Sequence, residues 1–311
     1  MMKSSALKSN LTAVSLAAAV LTMPDARAGE SLFGYVYTTD LHPKGTWEFE
    51  QWATARVGKQ QGDYALYQFR EEIEYGVTND FQLAGYINWH RVDAQGTGPN
   101  GETIGPFIPE NAEPDRRHTA WNFDSGSVEA IYRIWSPYLN FMGLALYLEP
   151  TFGPDRREIE SKILLQKNFL DDRLVWAANF TNAFEWERQT GDPTADPSLR
   201  ESGRRWEHAK ELEFTTGLSY RFAPSWFAGV EFRNHNEFAG HSLRHPEHSA
   251  FFLGPTIHYG GERFWMTLTV LPQLPLAQPY DQEQRDFTVH RRIYGDEHEA
   301  VEVRLKAGWT F

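Results

Sequence analysis

The chain ends on the sequence Val301-Glu302-Val303-Arg304-Leu305-Lys306-Ala307-Gly308-Trp309-Thr310-Phe311. Apolar side chains stand at every second position of this stretch, and Glu302, Arg304 and Lys306 stand between them. A period of two predicts a β-strand with one apolar face and one polar face. The apolar face needs an apolar surrounding, which is either a protein core or the lipid of a membrane.

A strand that ends the polypeptide on an aromatic residue resembles the closing strand of Gram-negative outer-membrane β-barrels. The assembly machinery of those barrels reads such a terminus, so the resemblance implies that Trp309 and Phe311 form the assembly signal of this chain. It also implies three kinds of partner, namely outer-membrane lipid, the barrel-assembly machinery and periplasmic chaperones. If it holds, the apolar faces of the other strands also point outwards to lipid.

The first 28 residues have the three parts of a secretory signal peptide. Lys3 and Lys8 give a basic start, residues 11–22 form an apolar run, and Ala26-Arg27-Ala28 is a small-x-small cleavage site. The apolar run is shorter than the roughly 20 residues that cross a bilayer as a helix. We predict cleavage after Ala28 and export to the cell outer membrane. A buried N-terminal helix is the alternative interpretation.

Composition narrows the class of protein. The chain contains no cysteine, which excludes a disulfide framework and a thiolate metal site. Removing residues 1–28 takes away three basic residues and Asp25, so the formal net charge moves from −12 to −14. Nucleic acid is not an expected partner of so acidic a chain. The mean hydropathy is −0.55, which argues against a bundle of transmembrane helices, and no residue pattern indicates a cofactor.

Amphipathic runs of the same kind recur throughout residues 45–311. They predict an all-β fold, a transmembrane antiparallel up-and-down β-barrel of about 12 strands. Short turns such as Thr78-Asn79-Asp80 alternate with mostly longer loops, which lie at 93–119, 188–205, 236–247 and 273–297. Both chain ends fall on the short-turn side, as in bacterial barrels with periplasmic turns and outside loops. A soluble β-sandwich is the alternative.

The eleven tryptophans favour the barrel over the sandwich. One group lies beside the short turns or the C-terminus: Trp47, Trp135, Trp176, Trp226, Trp265 and Trp309. A second group lies at the long-loop ends of the strands: Trp89, Trp121, Trp186 and Trp206. Soluble cores place tryptophan in mid-strand, as Trp52 is here, whereas membrane barrels place it at the two interfaces with water.

If the apolar faces meet lipid, the charged faces line the lumen. The candidate lumen residues are Glu48, Glu50, Arg56, Arg70, Glu72, Glu74, Glu129, Arg133, Glu149, Glu158, Glu160, Lys162, Glu211, Glu213, Arg221, Glu231, Arg233, Glu302, Arg304 and Lys306. Opposite charges on neighbouring strands are expected to pair, for example Glu72 and Glu74 with Arg56. Two interpretations stay open: the charges brace the wall, or they form a lining that favours cations and selects a solute.

Residues 29–44 precede the first predicted strand. The part from Leu32 to Lys44 is too interrupted to form a full spanning strand. It is either a periplasmic lead-in or a small plug folded into the lumen, and the sequence does not choose between them. A plug would gate the pore.

Residues 233–249 are rich in histidine and contain His235, His241, His245 and His248. Outer-membrane lipid hydrolases pair a serine with a histidine, but the adjacent His241 and Ser242 would point to opposite faces of a strand. Imidazoles with Glu237 or Glu247 suit zinc or copper, yet their spacing matches no closed tetrahedral site. We therefore expect solvated histidines in a loop, no catalytic residue and no metal site.

Two segments resemble a particular family. The hairpin Glu72-Ile73-Glu74-Tyr75-Gly76-Val77-Thr78-Asn79-Asp80-Phe81-Gln82 resembles those of outer-membrane proteins grouped with the meta-pathway phenol-degradation transporters. The stretch 34–50 is similar to the start of related barrels. The resemblance implies uptake of small or aromatic compounds and carries over no catalytic residue.

We therefore predict a passive channel or transporter for small solutes, and not an enzyme. One alternative is a non-conducting structural or adhesive barrel that acts through its extracellular loops. Another is a lipid-modifying enzyme. Conductance separates the first function from the other two.

Overall fold

The computed structural model describes residues 31–59, 61–98, 101–103, 105, 107–108, 112–113, 115–189, 205–276, 280, 288–289, 293–294 and 298–311. The predicted signal peptide lies outside these residues, as do most of the predicted loops 188–205 and 273–297. No helix in the described part of the chain is long and apolar enough to cross a membrane.

The described residues form twelve long strands in one closed sheet and two short strands in a separate hairpin. The strands are β1 (Trp47–Val57), β2 (Asp63–Thr78), β3 (Phe81–Gln95), β4 (His118–Trp135), β5 (Gly143–Phe152), β6 (Arg156–Phe169), β7 (Leu174–Gln189), β8 (Arg205–Ala223), β9 (Trp226–Ala239), β10 (Pro246–Gly260), β11 (Phe264–Pro272), β12 (Thr288–Val289), β13 (Ile293–Tyr294) and β14 (Val301–Thr310). The hairpin is β12–β13, and all other strands belong to the barrel. The predicted fold class and strand number are confirmed.

The barrel is up-and-down, because each of its strands is antiparallel to the next one along the chain. The ring closes where β1 pairs with β14, from Glu48 opposite Thr310 to Val57 opposite Val301. On its other edge β14 pairs with β11. The C-terminal stretch is thus a strand with both edges paired. Closure matters because a bilayer offers no water to satisfy an open edge.

Period two separates the two faces of the wall as the sequence predicted. On β2, Glu72 is 1% exposed and its neighbour Ile73 is 49% exposed. On β6, Glu158 faces inwards while Ile159 and Ile163 lie on the exposed outer surface. Apolar side chains on the outer surface suit contact with lipid, whereas the carboxylates of Glu72 and Glu158 face the interior.

One tryptophan departs from the predicted interface pattern. Trp47, Trp121, Trp135, Trp226 and Trp309 are exposed on the outside. Trp265, however, is 1% exposed and faces the lumen, where its indole N–H donates to Glu48 Oε1 at 2.8 Å. The prediction for Trp265 was wrong because distance from a turn fixes only the depth of a residue, whereas its parity along the strand fixes its face.

Half of the predicted histidine-rich loop 236–247 is strand. β9 extends to Ala239 and β10 begins at Pro246, so the connection is only 240–245. The loop prediction was wrong because Asn234 and Asn236 occupy outward positions here, so the apolar alternation that marks a barrel strand is missing. As a result, His235 and His248 are strand residues that face the lumen.

Candidate functional site

Residues 31–46 form an irregular segment that crosses the interior of the barrel near its short-turn end. Several of its backbone N–H groups donate to side chains on the inner wall, which satisfies donors that a strand ladder would otherwise pair. The amides of Gly34 and Tyr35 each donate to Glu231 at 2.8 Å. The amide of Thr39 donates to Gln166 Oε1 at 2.7 Å. Side chains of several strands therefore hold this N-terminal segment inside the barrel.

Apolar side chains of the N-terminal segment pack against the inner wall. Leu32, Phe33 and Val36 form a buried cluster with wall residues Val175, Ala177 and Phe227. Leu41 packs in a second cluster on the adjoining strands β4, β5 and β6, with Ile131, Ala145, Tyr147 and Leu164. The two clusters fix the segment against the part of the wall formed by β4 to β9.

Two wall glycines make room for the N-terminal segment. A Cβ atom at Gly76 would lie 2.2 Å from the carbonyl oxygen of Pro43. A Cβ atom at Gly217 would lie 2.6 Å from the ring of Phe33. Any larger residue at either position would displace the segment. The glycine in the Gly76-Val77-Thr78 stretch of the hairpin therefore accommodates the N-terminal segment that lies inside the barrel.

A buried histidine joins the N-terminal segment to the wall through charge. His42 Nε2 lies 3.0 Å from Glu74 Oε2 and 3.6 Å from Glu48 Oε1. Burial opposes the charge on this imidazole, but its ion pairs with Glu48 and Glu74 outweigh that effect and raise the pKa of His42 to about 10. His42 is thus a cation at neutral pH that neutralises part of a carboxylate cluster.

The carboxylates of that cluster face one another across neighbouring strands. The register places Glu48 opposite Glu74 and Glu50 opposite Glu72. Lys306 Nζ lies 3.7 Å from Glu50 Oε2, on the strand that closes the ring. Four carboxylates side by side are costly unless cations compensate them. The N-terminal segment and β14 supply those cations.

The expected pairing of Arg56 with residues 72–74 was wrong. Arg56 lies opposite Leu66 in the register, and Glu72 is six residues further along β2, about 20 Å away at about 3.4 Å per residue. Arg56 instead lies 2.9 Å from Glu299 and 3.3 Å from Glu302. Sequence alternation gives the face of a residue but not its depth in the lumen.

A second network of charges occupies the lumen nearer the long-loop end. Arg233 lies 2.6 Å from Glu213 and 2.8 Å from Glu302, which joins β8, β9 and β14. Arg156 lies 2.5 Å from Glu185 on the neighbouring strand β7. These cross-strand ion pairs tie together the walls of a cavity of about 530 Å³ that borders the N-terminal segment at Tyr35 and Tyr37.

The candidate lumen residues divide into three groups. Those that line the cavity are Arg56, Arg70, Glu149, Glu158, Glu160, Lys162, Glu211, Glu213, Arg233, Glu302 and Arg304. Those that are buried inside the barrel but do not line it are Glu48, Glu50, Glu72, Glu74, Glu129, Glu231 and Lys306. Arg133 and Arg221 lie at the short-turn end, where Arg133 pairs with Asp80 at 3.0 Å.

Several lining residues were missed from the sequence. They are Tyr35, Tyr37, His90, Asp124, Arg156, Glu185, Glu187, His235, Glu237, His248 and His298. Glu185 and Glu187 are two residues apart on β7, so alternation could have found them. His298 lies before the last strand, where no alternation marks it.

Three of the missed residues form a histidine cluster. His298 Nε2 lies 2.8 Å from His248 Nδ1, and His248 Nε2 lies 2.9 Å from Glu237 Oε2. The ring of His235 is centred 5.1 Å from that of His298 and 6.0 Å from that of His248. Burial and the neighbouring positive charges hold the pKa of His298 well below its usual range, so this imidazole is neutral.

A closed ring of twelve strands, apolar outside and charged inside, is the outer-membrane type of β-barrel. The chain belongs to the Family of unknown function (DUF6662), whose model matches residues 25–311. Among curated protein sequences, none matches this chain.

Two solved structures are similar in fold. One is the β domain of the Bordetella autotransporter BrkA, with a TM-score of 0.53, 10% identity, and coverage of 86% of this chain and 100% of that chain. The other is an outer-membrane channel from Pseudomonas putida F1, with a TM-score of 0.51, 10% identity, and coverage of 86% and 96%. At such low identity the likeness concerns the fold alone.

Proposed function

We propose that this chain is an outer-membrane channel for small polar or charged solutes. The observation that carries the proposal is the cavity of about 530 Å³ inside the barrel, which charged side chains of both signs line. A barrel that only spans the membrane can fill its interior with packed side chains. A charged cavity instead offers a hydrated solute a series of hydrogen-bonding partners along its path.

The N-terminal segment would act as the plug of this channel. Its backbone is held by side chains on β3, β6, β7 and β9, namely Gln82, Gln166, Asn179 and Glu231. These bonds can break without breaking any of the strand ladders that close the barrel. We therefore assign residues 31–44, the described part of the predicted segment 29–44, to a gating plug rather than to a periplasmic lead-in. We also propose that the chain is exported through the predicted signal peptide and that Trp309 and Phe311 direct its assembly.

The lining suggests which solutes pass. Carboxylates such as Glu158, Glu185 and Glu211 outnumber the cationic groups around the cavity, which favours cations. Aromatic rings also line it, among them Tyr35 and Tyr147. The resemblance of the hairpin 72–82 to phenol-degradation transporters supports small aromatic compounds as the solute class. No residue of the lumen is proposed to be catalytic.

The test is conductance in planar lipid bilayers with the plug locked or free. Thr39→Cys combined with Gly143→Cys introduces the only cysteine pair, because the chain has none of its own. A Cβ built at Gly143 lies 3.2 Å from Thr39 Cβ, close to the roughly 3.5–4.5 Å of a disulfide. We expect the oxidised protein to stay closed and the reduced protein to show opening steps.

Thr39→Cys alone is the matched control, since it also loses the hydroxyl bond to Gln166 but cannot form the disulfide. Equal opening of the oxidised and reduced double variant would contradict gating by the N-terminal segment. A complete lack of conductance in both states, and in the single variant, would contradict the channel itself.

The packing of the N-terminal segment favours one other function, a non-conducting barrel that acts through its outside connections. Phe33 is fully buried against the wall, and its fit to Gly217 leaves no space between them. This candidate predicts a correctly assembled barrel that never conducts, whether the disulfide is formed or reduced.

A further inference from the structure

Histidines from three separate segments meet in the lumen. His235 comes from β9, His248 from β10, and His298 from the residues just before β14. One ring nitrogen of each histidine can be chosen so that all three nitrogens lie within 4.8 Å of one another. All three residues are buried from bulk solvent and line the lumen cavity. The structure therefore has a buried cluster of three histidines in place of the solvated loop histidines that the sequence predicted for His235 and His248.

Carboxylates surround the three imidazoles. Glu237 lies 2.9 Å from His248 Nε2, which leaves His248 Nδ1 directed at His298. Glu211 lies 3.9 Å from His235 Nε2. A carboxylate that bonds the far nitrogen of an imidazole is the usual outer partner of a metal-bound histidine, because it fixes the orientation of the ring and raises its basicity.

Nearby guanidinium groups oppose a cation here, but carboxylates neutralise them. Arg233 lies 3.5 Å from His235 Nδ1 and is itself paired with Glu213 and Glu302. Arg56, the other arginine near His298, is likewise paired with Glu299 and Glu302. The two guanidinium charges are thus partly compensated, and Glu211 and Glu237 add negative charge beside His235 and His248.

We propose that His235, His248 and His298 form a binding site for one divalent transition-metal ion of the zinc and copper group. Imidazole nitrogen with nearby carboxylate oxygen is the donor set that these ions prefer over magnesium or calcium. A zinc ion binds imidazole at about 2.0–2.1 Å in tetrahedral geometry, which places two ligand nitrogens about 3.4 Å apart. Nitrogens up to 4.8 Å apart must therefore approach by up to about 1.4 Å, whereas His248 Nδ1 and His298 Nε2, now 2.8 Å apart, must separate by about 0.6 Å. Small rotations of the side chains provide that movement, with a carboxylate or water as the fourth ligand.

The site lies on the wall of the proposed channel, so a bound ion would sit in the path of solutes. The inference does not depend on conduction, because binding is measured on the detergent-solubilised barrel. Zinc binding without any conductance would overturn the channel proposal and leave the metal site standing. Conductance without zinc binding would overturn the metal site and leave the channel proposal standing.

The experiment is a calorimetric titration of zinc chloride into the folded barrel, purified without a histidine tag. We expect one zinc ion per chain and no binding of magnesium chloride under the same conditions. His248→Gln and His298→Gln should each weaken zinc binding more than Glu237→Gln does. Glu237→Gln should weaken it by about 10–100-fold, as the loss of an outer partner does. Heat-modifiable migration in a gel shows that each variant is folded.

The matched control is the double variant His208→Gln with His241→Gln. These two histidines lie together on the outside of the barrel, with ring centroids 4.7 Å apart, and could themselves attract zinc. The double variant should keep the full affinity, and X-ray absorption of its zinc-loaded form should show several imidazole ligands. Absence of zinc binding by the wild-type barrel would overturn the proposal. So would a loss of binding in the double variant alone.

Discussion

The imidazole of His42 lies 3.0 Å from the carboxylate of Glu74, and this ion pair joins the N-terminal segment to β2 inside the barrel. The pair lies close to Gly76, where the backbone of Pro43 touches the wall. Docking of the segment therefore depends in part on the charge of His42, and that charge changes with pH.

We expect the plug to loosen at alkaline pH. The pKa of His42 rises from an ordinary 6.5 to about 10 when the segment is docked. This contact therefore stabilises docking fully below about pH 6.5, and the stabilisation is lost as the pH rises through 10. The open probability in bilayers should increase over that range. The His42→Gln channel should have a higher open probability at neutral pH and should lose most of this pH dependence. An unchanged pH profile in the variant would contradict a role of the His42–Glu74 ion pair in holding the segment.

Carboxylates that line the cavity should set the ion preference, whereas buried carboxylates that do not line it should not. Glu211→Gln replaces a carboxyl group that lines the cavity, whereas Glu72→Gln replaces one that does not. We expect a lower cation preference, measured as reversal potential in a salt gradient, for Glu211→Gln. The preference of Glu72→Gln should stay unchanged, and its thermal stability should hold or rise, because one of four neighbouring carboxylates is removed. Equal effects on selectivity would show that depth in the lumen is irrelevant.

Two adjacent residues on β6 test which face meets lipid. Ile163→Arg places a charge on the exposed outer surface at mid-strand, at a cost of about 2–4 kcal/mol. Lys162→Arg places the same side chain in the lumen, where a cation already lies 2.9 Å from Glu160. Assembled barrel in the membrane fraction should fall strongly for Ile163→Arg and stay normal for Lys162→Arg. Equal assembly of both would mean that the outer surface does not face lipid.

Deleting Phe311 should impair assembly of the barrel more than it impairs the stability of the assembled barrel. The ring of Phe311 is 67% exposed, and the residue's main bond to the barrel is from its backbone N–H to Trp47 O at 3.0 Å. We expect unassembled, degraded protein in the periplasm for the deletion. Phe311→Tyr keeps an aromatic terminus and should assemble. Normal heat-modifiable barrel from the deletion would refute its role as an assembly signal.

Single cysteines should report the orientation of the barrel. Leu243 lies in the connection 240–245 at one end, and Glu262 lies in the connection 261–263 at the other. On intact cells, a membrane-impermeant thiol reagent should label Leu243→Cys and should reach Glu262→Cys only after the outer membrane is opened. The opposite labelling pattern would reverse the topology. Cysteine-free wild-type chain serves as the blank.

The sequence by itself determined the barrel. Alternation from Val301 to Phe311, and the same alternation on β2 and β6, required strands with one apolar face and one charged face. It placed Glu72 inside and Ile73 outside correctly, because the direction of a side chain along a strand depends only on parity. Where polar residues occupy both faces, as at Asn234 and His235, the alternation of apolar and polar residues is absent. There the sequence predicts a loop and the structure has a strand.

Only the tertiary structure decided what fills the barrel. The depth at which a charge lies depends on strand register, which is why Arg56 meets Glu302 and not Glu72. Closing the ring brings His298 to His235, although 63 positions separate them in the chain. It also brings Glu231 under the amide of Gly34. Such contacts arise from the closed curvature of the sheet, and no local pattern of residues encodes them.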